Sequence, residues 1–158
     1  MTVIAYHLIW TTYGTWLHGD ERSWVKWGEA CVKSPDPERE RAMRERMKEP
    51  AVILTEDQRC LVELTIRDHC RIRSWVLHAV NTRSNHIHVV VTAERDPDEV
   101  MSQFKAWCSR RLSDAAGLVG NVAKKAGRRR WFTEGGDKRS IESEEYLANA
   151  ISYVLEGQ

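Results

Sequence analysis

Two histidines separated by one residue are the side chains of this chain best suited to chemistry. His86 and His88 stand at the head of an apolar, β-branched run that ends at Val91, and such a run predicts a buried strand. Side chains alternate along a strand, so both imidazoles point to one face with Cβ atoms roughly 6–7 Å apart. Neutral imidazoles at that spacing can bind one divalent metal ion. Because His-x-His is a short pattern, two partly buried histidines without a metal are the alternative.

A tyrosine near the C-terminus is the second candidate for chemistry. Tyr153 lies in a segment whose apolar residues recur at helical spacing after Ser143, a suitable N-cap, which predicts a final helix. Tyr146 precedes it by seven residues, so the two side chains lie within about 20° of each other on an ideal helix. A phenol is a weak nucleophile at neutral pH and needs a nearby cation to stabilise its oxyanion. Taken alone, a tyrosine on an amphipathic helix indicates packing.

The elements around these residues predict one α+β domain spanning 1–158, with a long charged insertion at about 14–54. Apolar patterns and capping signals predict the order β-α-β-β-α-β-α. This is the ferredoxin-like split β-α-β pattern, an antiparallel sheet with helices on one face and a C-terminal helix that carries the tyrosine. The predicted strands cover 3–12, 74–80, 86–92 and 140–141, a polar turn covers 81–85, and the helices cover 55–71, 96–114 and the segment from 143.

Charge and tryptophan content indicate where a partner could bind. The chain has 24 basic and 23 acidic residues, so net charge favours no partner. Local clusters of basic residues can instead contact a phosphate backbone. The alternative is that these clusters are an ordinary solvated surface. The tryptophans Trp16, Trp24 and Trp27 lie in a polar, glycine-containing stretch and are harder to assign to a core. The candidate DNA-binding residues are Lys105, Arg110, Lys124, Lys125, Arg128, Arg129 and Arg130.

Cysteine use and hydropathy bear on the compartment. Four cysteines occur without a C-x-x-C pair, a pattern typical of reduced thiols in a cytoplasm. The sequence has no run near the roughly 20 apolar residues that span a bilayer, and no charged leader at its start. We therefore expect a soluble cytoplasmic protein with no membrane partner.

Together, these motifs resemble the HUH single-tyrosine transposases, and within them the REP-associated tyrosine transposases. The resemblance rests on the residues 6–14, 85–91, 103–105, Trp131 and 146–154, in that order along the chain. It implies a cut-and-rejoin reaction on single-stranded DNA, with hairpin DNA as the recognised structure. It also implies a homodimer in which the tyrosine acts in cis or in trans.

The resemblance assigns roles to the two candidate groups. His86 and His88 would hold Mg²⁺ or Mn²⁺, which polarises the scissile phosphate. Tyr153 would attack the phosphorus, form a 5′-phosphotyrosine and leave a free 3′-hydroxyl. Because the covalent bond conserves the phosphodiester energy, no nucleotide cofactor is expected.

One position departs from the family pattern. Members commonly place a third metal ligand, Gln or Asn, four residues after the tyrosine, where this chain has Gly157. Gln158 is the favoured replacement, and Glu156 is the substitute because carboxylates suit hard cations. Two other functions stay open. One is a domesticated, non-catalytic protein of the same fold that binds hairpin nucleic acid, and the other is a metal-binding ferredoxin-like domain without a DNA role.

Overall fold

The computed structural model describes residues 2–26, 31–117 and 130–156. Within these residues the chain forms four strands and four helices. The strands are β1 (Ala5–Thr11), β2 (Val76–Thr82), β3 (His86–Thr92) and β4 (Asp137–Ile141). The helices are α1 (Pro37–Glu45), α2 (Glu56–Arg73), α3 (Pro97–Ala115) and α4 (Glu144–Glu156).

The strands form one antiparallel sheet in the order β2-β3-β1-β4. The strand that carries the paired histidines therefore lies in the interior of the sheet, between β2 and β1. Its register places Ile9 opposite His88 and Thr11 opposite His86. With α2 and α3 as the crossover helices, this is the predicted α+β split β-α-β fold, and the fold class is confirmed.

The two faces of the sheet are covered by different helices. On one face, α2 and α3 enclose a large apolar core whose sheet residues include Leu8, Trp10, Ile87, Val89 and Val91. On the other face, α4 packs a smaller cluster, with Ala150 and Val154 against Ala5, Val90 and Ile141. The strand alternation predicted for β3 is confirmed, since Val90 shares the α4 face with the histidines while Val89 and Val91 face α2 and α3.

Local signals fix the helix boundaries. Thr55 and Gln58 form the predicted capping box at the start of α2, and the left-handed Ser74 ends the helix. Asp96 accepts from the Asp98 amide at the start of α3, where Pro97 follows in the first turn. These caps position the two crossover helices on their face of the sheet.

Several strand boundaries differ from the sequence prediction: β1 covers Ala5–Thr11 rather than 3–12, and β2 begins at Val76 rather than at 74. Asn81 and Thr82 extend β2, although they were predicted to belong to a turn, because pairing with β3 continues through them. β4 begins at Asp137 rather than at Ser140, because three charged residues at its start pair with β1 at the edge of the sheet. Charged residues have low strand propensity but are typical of sheet edges.

The predicted insertion contains α1 and otherwise lacks long regular elements within its described residues. No side chain of α1 is buried. This agrees with a helix stabilised by ion pairs on its surface, such as that of Arg44 with Glu40. In the part of the chain that the structure describes, every helix is too short or too polar to cross a membrane.

Candidate metal and tyrosine site

The two histidines meet at the start of β3, on the sheet face that α4 partly covers. Their ring centroids are 5.0 Å apart. His88 is buried and His86 is half-buried. The strand geometry thus converges two imidazoles on one location, as their spacing predicted.

Hydrogen bonds to Nδ1 orient both rings. His86 Nδ1 lies 2.8 Å from the Asn85 side-chain oxygen, so this nitrogen donates. His88 Nδ1 lies 3.1 Å from Nε2 of His7 on β1. Histidines that bind metals generally donate their second ring N–H to such a neighbour. With Nδ1 as the donor on His86, the metal-binding lone pair of that ring is on Nε2. In the His7–His88 pair either ring nitrogen can be the donor, and His88 has its lone pair on Nε2 when its Nδ1 donates.

Burial disfavours the charged forms of His88 and His7. Desolvation, aided by the nearby His86 and His7, lowers the pKa of His88 to about 3. Burial also lowers the pKa of His7, and Arg139 acts in the same direction. A histidine binds a metal only in its neutral form. His88 is therefore already in the neutral form that binds a metal at neutral pH.

The donor set fits a divalent ion in part. Two imidazoles are suitable ligands, while Mg²⁺ and Mn²⁺ also favour oxygen ligands. Across residues 2–26, 31–117 and 130–156, no three His, Cys, Asp or Glu side chains converge as a metal site. Glu156, the substitute third ligand, is exposed and is not grouped with the histidines. Gln158, the favoured ligand, lies outside the described residues.

Helix α4 brings Tyr153 beside the histidines of its own chain. The phenol ring centroid is 5.8 Å from the ring of His88 and 6.1 Å from that of His7. Tyr153 is 50% exposed, although Val154, the next residue, is fully buried. The Asn81 side-chain amide donates to the Val154 carbonyl over 2.9 Å and ties the end of α4 to β2. The phenol at this position is open to solvent and adjacent to the imidazoles.

Two of the predicted DNA-binding residues lie away from the histidine pair. Lys105 and Arg110 are on α3, which covers the opposite sheet face. The Lys105 ammonium donates to the carbonyls of Thr133 and Gly135, and burial lowers its pKa to about 8. Lys105 thus holds the segment before β4, a role within the protein. The Arg110 guanidinium lies 5.3 Å from the ring centroid of Trp107.

Arg130 is exposed, and its amide donates to the Glu49 carboxylate. The other predicted basic residues, Lys124, Lys125, Arg128 and Arg129, lie outside the described residues.

Three polar residues near the site were not predicted as part of it. His7 lies in the first predicted strand, and it contacts both His88 and Tyr153. Asn81 was assigned to a turn, and Arg139 to no site. Arg139 is the strand partner of His7. Only the register of the sheet reveals these contacts, because the partners are far apart in sequence.

The site and fold define a split β-α-β domain with a histidine pair and a tyrosine helix on one sheet face. No protein-family model and no curated protein matches the sequence. Among solved structures, the chain is similar to a crystal structure from Deinococcus radiodurans R1, which is described as a "putative transposase". The two share 15% sequence identity with a TM-score of 0.53, over 98% of this chain and 90% of the other. The likeness at this identity establishes a shared fold.

Proposed function

We propose that this protein is a metal-dependent DNA transposase of the HUH type, which cleaves and rejoins single-stranded DNA, with hairpin DNA as its target. The observation that carries the proposal is the exposed Tyr153 ring, 5.8 Å from the ring of His88. The fold shared with a protein described as a transposase supports it. The alternation of β3, which places His86 beside the same site, supports it as well.

The proposed reaction is a phosphoryl transfer to the tyrosine. The phenol oxygen of Tyr153 attacks the scissile phosphorus and loses its proton, and the bond from phosphorus to the 3′-oxygen breaks. That oxygen takes up a proton and leaves as a 3′-hydroxyl, while the 5′-phosphate stays on the tyrosine. His86 and His88 would hold Mg²⁺ or Mn²⁺, which supplies charge stabilisation at the phosphate. The return attack of a 3′-hydroxyl regenerates the phenol, so no nucleotide cofactor is needed.

The test is a covalent-adduct assay across a panel of hairpin-bearing single strands, with Mn²⁺ and with EDTA. A strand labelled at its 3′ end should migrate with the protein on a denaturing gel. The same strand labelled at its 5′ end should instead be released as a shorter product. This pair of labels distinguishes a 5′-phosphotyrosine from attachment through the opposite end.

Two tyrosines of the same helix give a matched comparison. We expect Tyr153→Phe to lower adduct formation below detection, because removing the nucleophile removes the covalent step. Tyr146→Phe, which changes a 41% exposed tyrosine seven residues earlier, should leave it within about twofold. An adduct that persists in Tyr153→Phe, with both variants folded, would show that this phenol is not the nucleophile.

A non-catalytic hairpin-binding protein is the second candidate function. It is favoured because no three His, Cys, Asp or Glu side chains among the described residues are arranged to hold a metal ion. It predicts hairpin binding that weakens with salt and no adduct with any strand of the panel. Adduct formation in Mn²⁺ would exclude it.

A further inference from the structure

An exposed tryptophan in the insertion is held in place by several polar contacts. Trp16 is 43% exposed, yet its indole N–H donates to the Ser23 carbonyl over 2.8 Å. The Arg22 guanidinium lies 4.1 Å from its ring centroid. Arg22 is fixed in turn, because it donates to both carboxylate oxygens of Asp20 and to the Thr15 carbonyl. The structure thus immobilises an indole whose remaining surface is open to solvent.

The same segment is joined to the histidine pair. The Thr12 amide donates to the Asn85 carbonyl over 2.9 Å. The Asn85 side-chain oxygen lies 2.8 Å from His86 Nδ1. One residue therefore holds both the first turn of the insertion and a candidate metal ligand. Trp16 follows Thr12 by four residues in the chain.

A cleft of about 1150 Å³ runs between Trp16 and the sheet. Its sheet wall includes Ile9 and Thr11, the strand partners of His88 and His86. The cleft therefore reaches the strand that pairs with the histidine strand, although neither His86 nor His88 lines it. Its charged lining residues are the basic Arg22, Lys26, Arg46 and Arg130 and the acidic Glu134 and Asp137.

We propose that this cleft binds the single DNA strand next to the cleavage position, with one unpaired base stacked on the Trp16 surface that Arg22 leaves uncovered. Aromatic surface beside basic groups is the combination that binds single strands, because every base has a stacking face. The excess of basic over acidic lining residues suits a phosphate backbone. The identity of the strand rests on the proposed function, whereas the stacking contact rests on the geometry of Trp16.

The test measures binding without cleavage. Fluorescence anisotropy with the full chain in EDTA compares an intact cleavable single strand with strands that each carry one abasic position. We expect one abasic position to weaken binding about tenfold, the size of a single base–aromatic stack. Trp16→Ala should weaken binding of the intact strand to a similar extent. In this variant, the same abasic position should cause no further loss.

Two other variants complete the design. Trp16→Phe keeps a stacking ring and should retain most of the affinity. Trp107→Ala removes a 41% exposed tryptophan on α3, with an arginine near its ring, and should leave the affinity unchanged. Thermal unfolding confirms that each variant is folded. Unchanged binding by Trp16→Ala, or an abasic penalty that persists in it, would overturn the proposal.

The adduct assay separates this proposal from the proposed function. If an abasic position weakens binding to the wild type but not to Trp16→Ala, and the wild type forms no adduct, the stacking site is supported and strand transfer is rejected. If the wild type forms an adduct but no abasic position weakens binding, strand transfer is supported and the stacking site is rejected.

Discussion

The two faces of the sheet differ in what covers them. The face toward α2 and α3 is closed by large apolar side chains, among which Leu8, Ile87 and Phe104 have no exposed surface. The face toward α4 has its apolar cluster at one end only. At the other end of that face, His86 and His88 lie beside the exposed Tyr153.

This difference indicates how the domain separates its main apolar core from the candidate site. Burial of apolar area supplies most of the folding free energy, and the closed face provides most of that area. The open face carries buried polar groups, which lower stability unless they are hydrogen-bonded. Here the rings of His7 and His88 satisfy each other. The closed face therefore supports a polar site that could not stabilise the sheet by itself.

The largest expected effect on stability is that of Phe104→Ala on the closed face. Phe104 is fully buried and packs near the rings of Trp10 and Trp75. Truncation of a buried phenylalanine costs about 3–5 kcal/mol. Urea unfolding should show this loss, while adduct formation per folded molecule stays at the wild-type level. A loss below about 1 kcal/mol would contradict the assignment of this face as the main core.

Neighbouring residues on β3 give a sharper comparison, because they point to opposite faces. Val89→Ala should lower the free energy of unfolding by about 2 kcal/mol, through lost methyl burial and a small cavity. Its adduct yield per folded molecule should be unchanged. His88→Gln should abolish the Mn²⁺-dependent adduct, because it removes one of the two imidazoles proposed to hold the ion in a fixed orientation.

The readouts for this pair are urea unfolding and the adduct assay with and without EDTA. If Val89→Ala lost the adduct while folded, or His88→Gln kept it, the division of roles between the two faces would be wrong.

Residue types along the chain predicted the components of the site better than its contacts. The bounds of β3 were predicted correctly, since a β-branched run preceded by a polar turn is a strong local signal. His7 and His88 are 81 positions apart, and Asn81 and Val154 are 73 apart. Such pairs depend on strand register and helix docking, which local sequence patterns do not encode.

Edge strands and insertions are harder to predict for a related reason. The charged residues at the start of β4 have low strand propensity, and pairing with β1 overrides it. The contacts of Trp16 with Ser23 and Arg22 lie within a stretch that has no periodicity. The polar context indicated a surface position correctly for Trp16, without indicating which atoms hold the ring, whereas Trp24 of the same stretch is buried.

The smallest expected effect again compares two neighbours, on β2. Asn81 faces α4 and donates to the Val154 carbonyl, whereas the Thr82 hydroxyl is buried with no hydrogen-bond partner among the described residues. Asn81→Ala should cost about 1 kcal/mol, the net value of one hydrogen bond. It should also speed amide hydrogen exchange in the last turn of α4, next to Tyr153.

Thr82→Val replaces an unsatisfied hydroxyl with a methyl group, so stability should stay the same or rise by up to about 1 kcal/mol. Exchange in α4 should not change in this variant. Equal exchange rates in the two variants would mean that the apolar contacts of Ala150 and Val154 hold α4 on the open face without the Asn81 bond. The position of Tyr153 beside the histidines would then depend on hydrophobic packing, as the closed face does.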